Sequence, residues 1–331
     1  MKYWQPVIEA HPAPVSGRMQ QRQIAPVETA GAGDGRGTDR HSWLRLLRLH
    51  HWAKNALLVV PFLAAQAWVR PAAFAALALG MLAFSLVASA TYVMNDLVDV
   101  AFDRAHAVKR HRPLAAGSIG TAPALAAAAL LALVGLGAAT LVGGAFLATV
   151  LVYVALTTLY TRRLKRVALL DVLALAGLWT LRLVAGAAAI QVALSAWLLS
   201  FGAFLFLSLS LVKRCAELEA QGGAPDAPLP GRGYVRADLP TLVSFGISTG
   251  VVSVLVLALF VDSTSAQLRY VHHERLWLVC PPMWFWLGRI WLETARGRMH
   301  HDPLVFSLQD RASWAALAAV ALAWAAALVP V

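Results

Sequence analysis

The run Asn95-Asp96-Leu97-Val98-Asp99-Val100-Ala101-Phe102-Asp103 follows directly on a long apolar stretch. If the helix implied by that stretch continues for about two more turns, Asn95, Asp99 and Asp103 fall at i, i+4 and i+8 and their oxygens stack on one face. Stacked carboxylates repel one another unless a cation lies among them. A hard oxygen cluster open to solvent suits magnesium, which keeps waters and takes substrate phosphates as further ligands. Asn95, Asp99 and Asp103 are therefore the expected ligands of an Mg2+ ion, with Asp96 an auxiliary ligand or a helix-end group. Asn and Asp also end helices for plain backbone reasons, but three acids and an Asn in this register point to metal chemistry. Immediately downstream come Arg104, His106, Lys109, Arg110, His111 and Arg112, then Pro113 and Gly117. Acids that hold a metal, followed by dense positive charge, can grip both the metal and the free oxygens of a diphosphate.

A second cationic group, Arg162, Arg163, Lys165 and Arg166, leads into an apolar run that carries Asp171 and Arg182. Charges inside such a run are costly and normally face a cavity or one another. These two are eleven positions apart, about three turns, which is too far for a direct pair within one helix. Each should meet another helix or the substrate. Cys215 and Cys280 follow no metal-ligand spacing and support neither a disulfide framework nor a zinc site. His272 and His273 lack a third partner and read as surface, while Trp43, Trp52, Trp284, Trp286 and Trp291 fit interfacial aromatic belts.

The elements that must position these residues follow from composition. The chain has 331 residues, 59% of them hydrophobic and only 14% charged, with a mean hydropathy of +0.64. A soluble fold could not hide so much Ala, Leu and Val, so the bilayer is the expected solvent. Apolar runs long enough to cross a hydrocarbon core occur at roughly 53–69, 72–94, 121–140, 143–160, 168–190, 193–212, 240–261, 275–292 and 312–331. An all-α polytopic bundle of about nine transmembrane helices is predicted. The net charge of +11 does not indicate nucleic acid, because the bases lie between apolar runs instead of forming one patch. With the N-terminus in the cytoplasm, the loops 95–120, 161–167, 213–239 and 293–311 hold most of the loop Lys and Arg, as the positive-inside rule requires. Residues 1–40, rich in Pro, Gly, Gln and Ala, read as a disordered cytoplasmic tail, leaving 41–331 as the transmembrane domain.

Asn95-Asp96-x-x-Asp99-x-x-x-Asp103 resembles the first aspartate-rich motif of the UbiA superfamily of intramembrane prenyltransferases. Asp103-Arg104-x-His106-x-x-Lys109-Arg110-x-Arg112-Pro113-Leu114-Ala115-Ala116-Gly117 is similar to the branch that contains decaprenyl-phosphate phosphoribosyltransferase. So are His51-Trp52-Ala53-Lys54-Asn55, the stretch from Tyr160 to Lys165, and Lys213-Arg214-x-x-Glu217-Leu218. Gly231-Arg232-Gly233-Tyr234 and His300-His301-Asp302-Pro303 also resemble relatives fused to a HAD-type phosphatase domain, and no such domain is expected within these 331 residues. The resemblance covers about residues 43–331. Where aromatic-prenylating members tend to carry a second aspartate-rich motif, this chain has Lys213, Arg214 and Glu217, which speaks against an aromatic acceptor.

The resemblance implies a UbiA-type helical bundle with its polar site at the cytoplasmic end. Magnesium and Lys or Arg would neutralise a departing diphosphate while positive charge develops at the attached carbon. Asp99 and Asp103 would be catalytic through the metal, and Tyr160 would stabilise charge at the reacting carbon. Lys54, Lys109, Arg110, Arg112, Lys165, Lys213 and Arg214 would contact phosphate, Glu217 would orient a hydroxyl or a cation, and Asn55, Asp171 and Arg182 complete the expected substrate contacts. The leading reading is transfer of phosphoribose from phosphoribosyl pyrophosphate to a polyprenyl phosphate. The alternatives are transfer of a polyprenyl group from its diphosphate to an aromatic or other acceptor, and a lipid-phosphate transporter or flippase. The expected partners are thus a polyprenyl lipid and a soluble diphosphate-bearing donor or acceptor, with no nucleic acid and room for an oligomer. The expected location is the bacterial inner membrane, with the active site facing the cytoplasm.

Overall fold

The computed structural model describes residues 40–105, 109–299 and 302–328. His106, His300, His301 and all but the last residue of the expected 1–40 tail lie outside the described residues. Among those described, the structure is helical, and Pro228 and Val235 form an isolated antiparallel bridge.

The chain enters with α1 (Arg40–Leu47) and turns at Arg48, whose φ of 51° lies in the left-handed region. A 3-10 segment, Leu49–Leu58, then runs into α2 (Val59–Ala64) and a short 3-10 turn, Ala67–Val69. The expected first span, 53–69, is therefore helical but interrupted. Its partner explains the interruption: α3 (Pro71–Ala105) carries Ser85, Ser89 and Asp96 up one side. A 3-10 helix repeats every three residues, so Trp52, Asn55 and Leu58 eclipse and face the same way. Asn55 Nδ2 donates to Ser85 Oγ (2.8 Å), Trp52 Nε1 to Ser89 Oγ (3.0 Å), and Arg48 Nη2 to Asp96 Oδ1 (2.5 Å), while Leu58 is fully buried. The tight winding that a lone segment of this length would not favour is held by this ladder of polar contacts.

The next long elements follow in order: α4 (Thr121–Val142), α5 (Gly144–Arg162), α6 (Leu170–Ala189), α7 (Ala196–Gln221) and α8 (Leu239–Val261). After the short α9 (Thr264–Gln267), a 3-10 segment His273–Val279 leads into α10 (Cys280–Ala295), then the short α11 (Pro303–Gln309) and α12 (Arg311–Leu328). Gly143 alone joins α4 to α5, at a φ of 142° that a side chain would disfavour. Seven of these helices, α3 to α8 and α12, are long and apolar enough to cross a membrane among the described residues. The expected eighth span, 275–292, divides between the 3-10 segment and α10. The described count is thus seven long helices plus two broken helical segments, not nine uniform spans.

Four apolar clusters form among the described residues, two of them large. One of the large two joins α2 to α6 through Leu58, Phe62, Phe84, Val87, Phe146 and Tyr153; the other joins α6, α7, α8 and α10 through Trp179, Phe206, Leu209, Leu287 and Trp291. Helix α6 belongs to both, and its Gly186 backs onto the main chain of Leu58, where a Cβ would collide with the carbonyl. At the far end of α10, Arg289 forks onto Asp310 at 2.9 and 2.8 Å and fixes the start of α12. An apolar cleft of about 320 Å³ lies beside α8 and α10, lined by Val243, Ile247, Trp284 and Leu287 among others, and none of the expected site residues lines it.

Gly186→Leu should force α6 away from the 3-10 segment at a cost of about 1–3 kcal/mol, the usual penalty of overpacking. A thermal midpoint in detergent equal to that of the wild type would refute the close approach.

Candidate active site

Helix α3 does continue past the apolar run to Ala105, so the acids stand on its last turns. Their angular order gives each a different neighbour. Asp96 and Asp103, seven apart, lie on nearly the same side and share one guanidinium: Arg112 Nη1 is 3.1 Å from Asp96 Oδ1 and 2.7 Å from Asp103 Oδ2. Arg48 adds a second cation to Asp96. Asp99, rotated away, pairs with Lys165 of the turn after α5 at 3.6 Å. The carboxylates of Asp96 and Asp103 are almost fully buried, whereas Asp99 and Arg112 keep 29% and 31% of their side-chain surface exposed.

Arg112 sits in the connection between α3 and α4, which is tied by backbone bonds from Arg112 N to Lys109 O (2.9 Å) and from Ala116 N to Arg112 O (2.8 Å). Lys109 and Arg110 occupy its exposed first turn. Asn95 is half-buried beside the acids on α3.

A second group forms where the 3-10 segment meets the C-terminal part of the chain. Lys54 forms an ion pair with Asp302, and its Nζ lies 6.0 Å from the centre of the Trp179 ring. Asp302 also caps α11 by accepting from Leu304 N at 3.1 Å. Lys213 on α7 feels the charges of Lys54, Glu217 and Asp302. Burial opposes ionisation of Asp302, but Lys54 and then Lys213 outweigh it and hold the carboxyl below its usual value. His51, on the same segment, is pushed down to about 3 by burial and then by Lys54, His50 and Arg48, so it stays neutral.

The third group is interior. Asp171 and Arg214 have no exposed side-chain surface and approach to 2.7 Å. Arg214 also pairs with Glu217 and stacks on Tyr234 at 5.6 Å. Tyr160 donates to Asp171 Oδ1 (3.0 Å) and accepts from Arg232 Nη1 (2.8 Å), and Arg232 itself reaches Asp171 at 3.2 Å. Arg232 and Tyr234 arrive on the connection between α7 and α8, which lies against the turn before α6: Tyr234 Oη accepts from Leu169 N at 2.9 Å. Gly233 permits this, since a Cβ there would strike the backbone at Arg166 and Ala168. Burial pushes the Tyr234 hydroxyl up to about 12, so it acts as a neutral hydrogen-bonding group.

Several expected substrate contacts are therefore internal. Asp171 and Arg182 each meet another element, as their separation requires. Arg182 donates to Asn55 Oδ1 (3.0 Å) and Leu178 O (2.6 Å), with Phe84 and Tyr153 flanking its guanidinium. Asn55, Asp171, Arg182 and Arg214 all face protein partners here, and Lys213, Arg214 and Glu217, expected on a loop, lie on α7 itself. Lys54, Asp99, Arg112, Lys165, Lys213 and Glu217 retain exposed surface near the acids and bases just described. Sequence reasoning assigned no role to Arg48, His51, Arg232 or Asp302. Three of them stood inside quoted motifs, but their partners are far away in the chain.

Among the described residues, no three Asp, Glu, His or Cys side chains converge closely enough to hold an ion by themselves. Asp96 and Asp103 are nevertheless spaced to share one cation, as Arg112 shows. A dication there would draw its other ligands from Asn95, Asp99, water or phosphate, which is how magnesium is usually held. The donor set fits that ion when a phosphate accompanies it.

Comparison with known proteins adds sequence and fold relationships. The model of the UbiA prenyltransferase family matches residues 56–224, a stretch that ends short of Lys54 on one side and of Arg232 and Asp302 on the other. The Sinorhizobium fredii protein y4nM is 39% identical over 86% of this chain, which spans 56% of that protein's length. The Azorhizobium caulinodans nodulation protein NoeC is 34% identical over 83% of this chain and 89% of its own. Decaprenyl-phosphate phosphoribosyltransferase of Mycobacterium tuberculosis is 33% identical over 53% of this chain and 59% of its own. The structure of a UbiA homolog from Archaeoglobus fulgidus bound to GPP and Mg2+ has the same fold, with a TM-score of 0.60, 17% identity, and coverage of 86% of this chain and 99% of that one.

Two stability measurements test the site. Arg214→Leu leaves Asp171 buried with one partner fewer and should cost about 3–5 kcal/mol, part of it regained in Asp171→Leu/Arg214→Leu, which removes the uncompensated acid but leaves Arg232 and Glu217 without their partners. A double variant as unstable as the single one would count against the pairing. For His51 the folded value, about 3, lies below the unfolded 6.5, so the folded protein binds fewer protons. Its contribution is complete above 6.5 and is lost as pH falls towards 3. In His51→Gln the thermal midpoint should fall less steeply with acidification across that window; parallel curves for the two proteins would show His51 to be solvated.

Proposed function

Because the chain belongs to the UbiA prenyltransferase family, we propose that it is a membrane-embedded transferase whose donor is phosphoribosyl pyrophosphate and whose acceptor is a polyprenyl phosphate. The observation that carries the reading is the surplus of bases interleaved with the acids at one end of the bundle. Arg48, Lys54, Arg112, Lys165 and Lys213 surround Asp96, Asp99, Asp103 and Asp302, and Lys109, Arg110 and Arg104 stand exposed at the rim. A diphosphate alone would not need so many cations; a donor with a further phosphate would. The named mycobacterial relative supports the same reading.

The residues divide the work by exposure. Asp99 and Asp103, with Asn95 and Asp96, hold the metal side of the site. Arg112 and Lys165, both on flexible stems at loop positions, receive the diphosphate oxygens and stabilise them as charge accumulates on the leaving group. Magnesium, when bound, supplies the remaining neutralisation of that diphosphate. Lys54 and Lys213 face the other end of the donor, where a terminal phosphate would lie. The acceptor's phosphate oxygen forms a bond to the anomeric carbon while the bond from that carbon to diphosphate breaks, and diphosphate leaves with the electron pair. No protein nucleophile is required. Tyr160, expected at the reacting carbon, here spends its hydroxyl on Asp171 and Arg232, and with Arg214 these residues keep the ends of α5, α6 and α7 in register beneath the site.

In this reading the protein lies in a bacterial inner membrane with residues 41–331 as the transferase domain, and the N-terminus and the site face the cytoplasm, where the donor is soluble. The second reading, prenyl transfer, draws on the fold shared with a protein whose structure contains GPP and Mg2+. Both readings use the same acids, so only the substrates separate them.

Diphosphate release by the purified protein with magnesium distinguishes the two. One tube holds phosphoribosyl pyrophosphate and polyprenyl phosphate, the other polyprenyl diphosphate and 4-hydroxybenzoate. Release should occur in the first alone and drop roughly 100-fold or more in Asp99→Ala, the scale on which a lost electrostatic contact acts. Release only in the second tube would overturn the phosphoribosyl assignment.

A further inference from the structure

Arg112 occupies the position a metal would be expected to take. Its guanidinium bridges Asp96 and Asp103, which keep only 4% and 5% of their side-chain surface exposed. Two carboxylates on one side of a helix repel each other, and the guanidinium between them is the cation that offsets the repulsion. Arg112 supplies it from a loop, with 31% of its own side chain open, so it is the partner able to leave. Arg48 remains on Asp96 when it does.

We propose that Arg112 is a resident counter-cation that keeps divalent metal off the Asp96-Asp103 pair until a diphosphate arrives, so that metal and diphosphate load together. The inference rests on the metal-diphosphate site described under the proposed function. A dication entering alone would have to displace the guanidinium from both carboxylates, giving up its two charge-assisted contacts for water. A diphosphate removes that penalty by offering the fork two oxygens in the geometry it prefers. Each ligand then favours the other by the same factor, since coupling between binding sites is reciprocal. Asp99 lies outside this competition, because its partner is Lys165.

The discriminating measurement is equilibrium binding of Mn2+ to the full-length protein, read from the electron paramagnetic resonance of free ion, with and without inorganic diphosphate and without turnover. The wild type should bind Mn2+ weakly alone and at least about tenfold more tightly with diphosphate, within the range typical of such coupling. Arg112→Gln should bind Mn2+ alone about tenfold more tightly than the wild type and should lose most of the enhancement. Arg112→Lys, which keeps the charge but not the fork, should still hold Mn2+ alone to wild-type weakness while losing part of the enhancement by diphosphate, and circular dichroism with a thermal melt reports that each variant is folded. A purely structural Arg112 would not raise metal affinity on removal. If Arg112→Gln binds Mn2+ alone no more tightly than the wild type while the enhancement by diphosphate persists, the role assigned to Arg112 is wrong and the metal-diphosphate site stands. If no protein binds Mn2+ even with diphosphate, both are wrong.

Discussion

Charge at one end of an apolar bundle must be neutralised locally, and most of the structure near the site follows from that requirement. Asp171 and Arg214, both without exposed surface, are the extreme case. Such a pair adds little net stability over an apolar one, because desolvation offsets the attraction. Its effect is on geometry: a buried acid tolerates few positions for its base. Asp171 on α6 therefore sets where α7 must present Arg214 and where the connection after α7 must deliver Arg232. Tyr160 joins α5 to the same group. Three helix ends and one connection are held in register by a single carboxylate.

The entry segment obeys the same logic with neutral groups. Leu49–Leu58 winds as a 3-10 helix because its three-residue repeat lines up Trp52 and Asn55 with Ser89 and Ser85 on α3. Those contacts place Lys54 against Asp302 and, through Asn55, anchor the buried Arg182. Gly186 allows the backbone of Leu58 to approach α6 closely enough for that bond. The polar ladder, a glycine and an ion pair thus join the two large apolar clusters at the end where the charges collect.

A site assembled this way is already balanced before any substrate enters. The acids of α3 each have a basic partner, and the more exposed members, Asp99, Arg112 and Lys165, pair through side chains carried on the connections after α3 and α5. Under the proposed function, binding would take the form of an exchange of partners, which involves less desolvation than burying new charge. The family match ends between the two halves of this balance, covering the acids of α3 but neither Lys54 nor Asp302.

The sequence by itself was sufficient for the membrane class, for seven of the nine expected spans as long helices, and for the continuation of α3 through Asn95, Asp99 and Asp103. Each of these depends on local periodicity or on summed apolarity, which neighbours in the chain carry. It also put Arg112 and Lys165 beside the acids of α3, because dense bases following acids can be read without coordinates. It did not distinguish Asp96 as the partner of Asp103, nor show that 53–69 is broken, nor that Arg214 and Arg182 face inward. Those outcomes depend on contacts between residues far apart in the chain: Arg48 with Asp96, Lys54 with Asp302, Asn55 with Arg182, Asp171 with Arg214. Only packing decides which of several like charges meets a given acid, since in a confined, weakly solvated interior the choice turns on distances of an ångström or so that no spacing along the chain encodes.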